Sequence, residues 1–211
     1  MLSHFSDLSR EDTQFIQRTY QVLFGALALM TLLGIFSYTQ LPPASAGPLM
    51  LLDSIIWIAC GWFGLRNPIK AVFPAFLVIT GLCLGQIAHL YRPDVFLTAA
   101  ATTLAIFAGT SAYVFFSKKD FSFLHASLNI GFWVILALSV VSLFVHINAL
   151  SIFIGIFGSI IFIGWILYDT SQILLRADQL GYNAHMGAFD LFMDIIGLFS
   201  FVRHLFNFID D

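Results

Sequence analysis

Residues 186–209 read MGAFDLFMDIIGLFSFVRHLFNFI, a stretch long enough to cross a bilayer that nevertheless carries Asp190, Asp194, Arg203 and His204. A transmembrane helix needs about 20 mostly apolar residues. A charged side chain at mid-depth costs about 2.5–3.5 kcal/mol on insertion scales. A helix with two acids in its first half therefore belongs inside a bundle, its acids turned towards a polar partner or water. Six further hydrophobic stretches, at about 15–38, 49–65, 71–90, 95–116, 121–145 and 150–174, supply the surrounding wall.

Composition agrees. The chain is 59% hydrophobic and 10% charged, where soluble domains carry about 25% charged residues. Its mean hydropathy is +0.91. The expectation is an all-α integral membrane protein: a cytoplasmic N-terminal tail at 1–14, then a transmembrane domain at 15–211 with seven helices, the seventh central. The net charge of −3, without a basic patch, argues against a nucleic-acid partner. Cys60 and Cys83 both fall inside hydrophobic stretches, where small core residues are the simplest account. A disulfide framework or zinc site is not expected. The polar, acidic N-terminus does not read as a cleavable signal peptide.

Short turns separate the stretches. LPPASAGP is a Pro/Gly/Ser turn, and Lys118-Lys119-Asp120 is a tight charged one. The run TAAATT in the fourth stretch allows close helix approach. Arg10, Arg18, Arg66, Lys70, Lys118, Lys119 and Arg176 fall on one side of the bilayer, against Arg92 and Arg203 on the other. The positive-inside rule then puts the N-terminus in the cytoplasm and, after seven crossings, the C-terminus outside.

Two intramembrane acids come to similar depth. Counted from the cytoplasmic ends of their stretches at about 1.5 Å per residue, Asp169 lies about 10 Å deep and Asp194 about 13 Å. They sit on adjacent antiparallel segments and can face each other. Asp190 lies one turn from Asp194 on the same helix face. Two carboxylates close together in low-dielectric surroundings cannot both ionise cheaply, so such a pair titrates as one coupled unit. It is a candidate pH sensor, proton relay or cation site, and Arg66 is a candidate countercharge. The plainer alternative is a buried Asp that only hydrogen-bonds backbone or hydroxyl groups. Intramembrane acids are costly, and a matched pair favours function. Arg66 also reads as a positive-inside anchor, and Arg203 and His204 as interfacial residues. Asp53, Gln86 and His89 map near the outer ends of the second and third stretches, as interfacial residues or the lining of an outer vestibule.

Three segments carry a family resemblance: SAYVFFSKKDFSFL (111–124), ILYDTSQIL (166–174) and AFDLFMDIIGLFSFVRHLF (188–206). FIQRTYQVLFGALALM in the first stretch also fits. Together they resemble the Bax inhibitor-1 family (transmembrane Bax inhibitor motif proteins) in its bacterial branch, over almost the whole chain. The resemblance implies seven spans around a central seventh, in the bacterial inner membrane. It further implies a calcium leak gated by pH through an aspartyl pair that maps to Asp169 and Asp194, with an arginine, here Arg66, set against the pair. Asp190 and Asp53 are then candidates for the ion path. Calcium would be the permeant ion, transiently near Asp169 and Asp194, with protons as the trigger. No cofactor, tightly bound metal or enzymatic activity is implied. A monomer is compatible with this reading. The chain departs from the family at Gly197, where an Asn is common, and at Asp190, where the family has a small or neutral residue.

Two other functions compete with this one. An intramembrane aspartyl protease would use Tyr168-Asp169, but Gly187-Ala188-Phe189-Asp190 lacks the second glycine its other motif needs, and no Pro-Ala-Leu segment follows. No G-x-S-x-G or H-E-x-x-H signature is present either. The remaining alternative is an interaction protein that modulates a membrane-bound protease or stress response, with residues 1–14 as its handle.

Overall fold

The computed structural model describes residues 10–62, 69–90, 92–142, 144–145, 147–175 and 183–209. Among these residues there are seven α-helices: α1 (Arg10–Gln40), α2 (Ala46–Trp62), α3 (Ile69–Ala88), α4 (Pro93–Ser117), α5 (His125–Ser142), α6 (Asn148–Leu175) and α7 (Ala184–Ile209). Short 3₁₀ turns at Pro43–Ser45 and Ser122–Leu124 precede α2 and α5. Pro93 opens α4, where its missing N–H costs nothing, and Asp94 follows in the first turn. Asn183 caps α7, its Oδ1 accepting the Met186 N–H at 3.0 Å.

Each hydrophobic stretch has become a helix, and among the described residues five are long and apolar enough to cross a membrane: Asp12–Gln40, Pro93–Ser117, Ser122–Ser142, Asn148–Leu175 and Ala184–Asn207. The expected count of seven spans is thus met in part. α2 is described over 17 residues up to Trp62, where the described residues break off until Ile69. In α3 the apolar segment is Val72–Ala88. Of the five long helices α7 is the most enclosed: 72% of its apolar window is buried, against 11–33% in the other four.

The helices form two compact units. The first comprises residues 17–93 and 183–189, hence most of α1, all of α2 and α3, and the start of α7. Here α1 and α3 meet backbone to backbone. A Cβ on Gly85 would collide with the Gly34 carbonyl oxygen and stand 2.8 Å from Ser37 Cβ. Such close approach between membrane helices gains from dispersion and short polar bonds, because lipid supplies no hydrophobic drive. Gln86, fully buried, donates through Nε2 to the Ser37 carbonyl and to Ser37 Oγ, both at 3.0 Å. Ser37 Oγ donates in turn to the Leu82 carbonyl at 2.7 Å. Phe189 of α7 lies edge-on to Phe73 and Phe76 of α3.

The second unit comprises residues 1–16, 94–182 and 190–211, hence the head of α1, α4, α5, α6 and the rest of α7. Within the TAAATT run of α4, Ala99 and Thr103 are buried. α5 packs on α6 where Gly164 receives Leu128 and Gly131 receives Ile161. Val114 of α4 and Leu174 of α6 centre an apolar cluster with Ile16, Phe115, Phe121, Leu167 and Leu175.

Candidate functional site

The second unit holds Asp169, Asp190 and Asp194, and its α6–α7 packing gives their relative heights. A Cβ on Gly155 would stand 3.0 Å from Leu205 Cβ. One on Gly158 would enter the Phe201 ring, and one on Gly197 would enter the Phe162 ring. The numbers in each pair add to 359 or 360, a constant antiparallel register. Extended one to two turns, this register sets Asp169 level with residues 190–191, and Asp194 level with 165–166. Both stripes continue at helical spacing: 155, 158, 162 and 169 on α6, and 205, 201, 197, 194 and 190 on α7.

Asp169 therefore stands level with Asp190, while Asp194 lies about 5 Å further along the axis at about 1.5 Å per residue. Depth counting from span ends put Asp169 and Asp194 closer to one height than this register does. The physical reason is that the two helix ends need not share a plane. Asp194 is only 5% exposed, whereas Asp169 and Asp190 are half-buried. Among the described residues no group of three or more His, Cys, Asp or Glu side chains could hold a metal ion.

Immediately after Asp169, Thr170, Ser171 and Gln172 are all buried, and all three bond to the segment around the α4–α5 turn. Thr170 Oγ1 lies 3.4 Å from Ser111 Oγ of α4. Ser171 Oγ accepts the Phe121 N–H at 3.3 Å and donates to the Tyr168 carbonyl at 2.7 Å. Gln172 Nε2 donates to Ser122 Oγ at 2.7 Å. Ser122 presents both its N–H and its hydroxyl to Asp120 Oδ1. The turn itself is shaped by Lys118, whose φ of 49° is left-handed and whose N–H closes α4 onto the Val114 carbonyl at 2.9 Å. On the other flank His125 packs against Trp165 and Tyr168, with ring centroids 5.7 and 5.2 Å away.

None of this polar clamp was singled out from sequence. The signal was present, as four consecutive polar residues (Asp169 to Gln172) inside an apolar span. Phe162 was missed too. At Gly197, where the family commonly has an Asn, the Phe162 ring occupies the place a side chain would need.

The remaining sequence candidates lie elsewhere. Asp53, half-buried in α2, accepts the Thr80 hydroxyl of α3 at 2.7 Å, within the first unit. His89 bonds the Tyr38 carbonyl at 2.9 Å and stacks on the Tyr38 ring. Arg203 sits over the Phe199 ring, 5.9 Å from its centroid. Arg66 lies outside the described residues, as do Arg176 and residues 1–9 of the tail.

Over residues 12–211 the chain matches the family described as Inhibitor of apoptosis-promoting Bax1. It is 31% identical to protein lifeguard 4 of Mus musculus, over 64% of this chain and 55% of that protein. It is 29% identical to the Golgi anti-apoptotic protein of vaccinia virus, over 62% and 54% of the two chains. An uncharacterized protein of Pseudomonas aeruginosa is also 29% identical, over 94% of this chain and 90% of its own. The match thus spans little more than half of the lifeguard and viral proteins, but nearly all of the bacterial one.

Proposed function

This chain belongs to the Bax inhibitor-1 family of membrane proteins, and from that premise we propose that it is a pH-sensitive calcium leak channel gated by an intramembrane aspartyl pair. The observation that carries this reading is the placement of Asp194. It is a carboxyl group 5% exposed on the most enclosed long helix, on the same α6-facing stripe as Asp190 and opposite the stripe of Asp169. A buried acid in a membrane bundle is costly to keep unless it works. Carboxylates in mutual reach exchange charge with protonation and attract hard divalent cations. A few acids without a closed cage favour passage over retention. In this reading protonation changes the charge between α6 and α7, and Arg66 is the candidate countercharge. The channel sits in the bacterial inner membrane with the N-terminus in the cytoplasm.

The test is calcium flux into liposomes between about pH 5 and pH 8, for the wild type, Asp169→Asn and Asp194→Asn. Both substitutions are expected to flatten the pH dependence. Wild-type flux and an unchanged pH profile in both variants would end this reading.

A second reading rests on the name of the viral relative, an anti-apoptotic protein. Here the chain acts on a partner, such as a membrane-bound protease or a stress-response protein. Deleting residues 2–12 separates the two: a channel keeps its flux, whereas an interaction protein loses its partner.

A further inference from the structure

The three residues that follow Asp169 are an uncommon run for a membrane helix, because each is buried and each bonds to α4 or to the segment that joins it to α5. Thr170 meets Ser111, Ser171 accepts the Phe121 N–H, and Gln172 donates to Ser122. Ser122 is in turn oriented by Asp120, which receives both its N–H and its hydroxyl. A polar side chain left without a partner in an apolar bundle incurs the full cost of its desolvation, so each of these bonds resists being broken.

Their geometric effect falls on Asp169. Rotation of α6 by one residue, about 100°, would carry all three side chains off their partners at once. The clamp therefore fixes the rotation of α6 about its axis at the turn where Asp169 meets the α7-facing stripe. Ser171 adds to this by holding the Tyr168 carbonyl, one residue before Asp169.

We propose that Gln172 and Ser122 are positioning residues for Asp169: their hydrogen bond holds the carboxyl at the height and rotation at which it senses the acids of α7. This inference rests on the aspartyl-gate reading and names the parts of the chain that set its titration point. The ionisable groups on the elements around Asp169 are Asp190 and Asp194 of α7, His125 of α5, Tyr113 of α4, Lys118, Lys119 and Asp120 of the turn, Tyr168 of α6 itself, and Asp12 at the head of α1.

The experiment is an infrared titration of the full-length protein in lipid nanodiscs, following the carboxyl band that disappears in Asp169→Asn. Gln172→Leu and Ser122→Ala should each move the midpoint of that band by about half a pH unit or more. The double variant should move it no further than either single one, because both remove the same bond. Ser122→Thr, which keeps the hydroxyl, should restore the wild-type midpoint. Thr39→Ala, on the exposed end of α1, should leave it unchanged. Ser122 is exposed, so Ser122→Ala remains a test even if Gln172→Leu fails to fold. An unmoved midpoint in Ser122→Ala overturns the proposal, as does an equal shift in Thr39→Ala. Calcium flux recorded on the same variants separates this inference from the gate: a shifted band with pH-independent wild-type flux keeps the positioning role and rejects the channel.

Discussion

The ring of Phe162 fills the space that any side chain on Gly197 would require. A Cβ there would fall inside van der Waals contact of three of its ring carbons. The glycine and the phenylalanine thus form one packing unit between α6 and α7, a turn away from Asp194. Phe162 is itself braced by Phe201 and Phe132, with ring centroids 5.7 and 6.2 Å away.

Replacing Gly197 by the Asn common in the family should therefore destabilise this chain, by about 1–3 kcal/mol as for other overpacked sites. Thermal unfolding in detergent measures it. Combining Gly197→Asn with Phe162→Ala should recover part of the loss, because the smaller side chain vacates the contested space. A neutral Gly197→Asn would mean that α6 and α7 are further apart than this packing requires.

The α6–α7 register makes a separate prediction about the acids. Disulfide formation needs Cα atoms within about 7 Å. Cysteines at 169 and 190 should cross-link faster in membranes than cysteines at 169 and 194, since the second pair is offset by about 5 Å along the axis. Faster cross-linking of 169 with 194 would restore the matched depth that span-end counting gives and displace the register argued from the glycines.

Lys118 offers a test of the turn that carries the clamp. Its φ of 49° places a β-carbon in the left-handed region, where glycine carries no steric penalty. Lys118→Gly should raise stability by about 1 kcal/mol, read as a higher unfolding midpoint in detergent. Lys118→Val, β-branched in the same conformation, should lower it. A destabilising Lys118→Gly would show that the lysine side chain contributes more to the turn than its backbone strain costs.

Much of this molecule was legible in the sequence. Seven apolar stretches became seven helices with ends within a few residues of those expected, because apolar length and Pro, Gly and charged breakers act locally. The burial of the charged seventh stretch was legible for a different reason: acids are excluded from lipid wherever the helix ends up, and α7 is indeed the most enclosed of the five long helices.

Only the tertiary structure decided which residues meet. Height along two antiparallel helices depends on how their side chains interlock, here through Gly155, Gly158 and Gly197, and not on where each helix begins. That is why Asp190, read as an added charge beside the pair, comes level with Asp169, and why Asp194 lies deeper. The same holds for Thr170, Ser171 and Gln172. The sequence shows that they are polar and inside a span, so they must find partners. That the partners are Ser111, Phe121 and Ser122, some 50 to 59 residues away in the chain, follows from packing alone. Sequence by itself determined that this chain lies in a membrane and encloses its acids. Interhelical packing decided which of them stand level and which polar residues brace the helix beside Asp169.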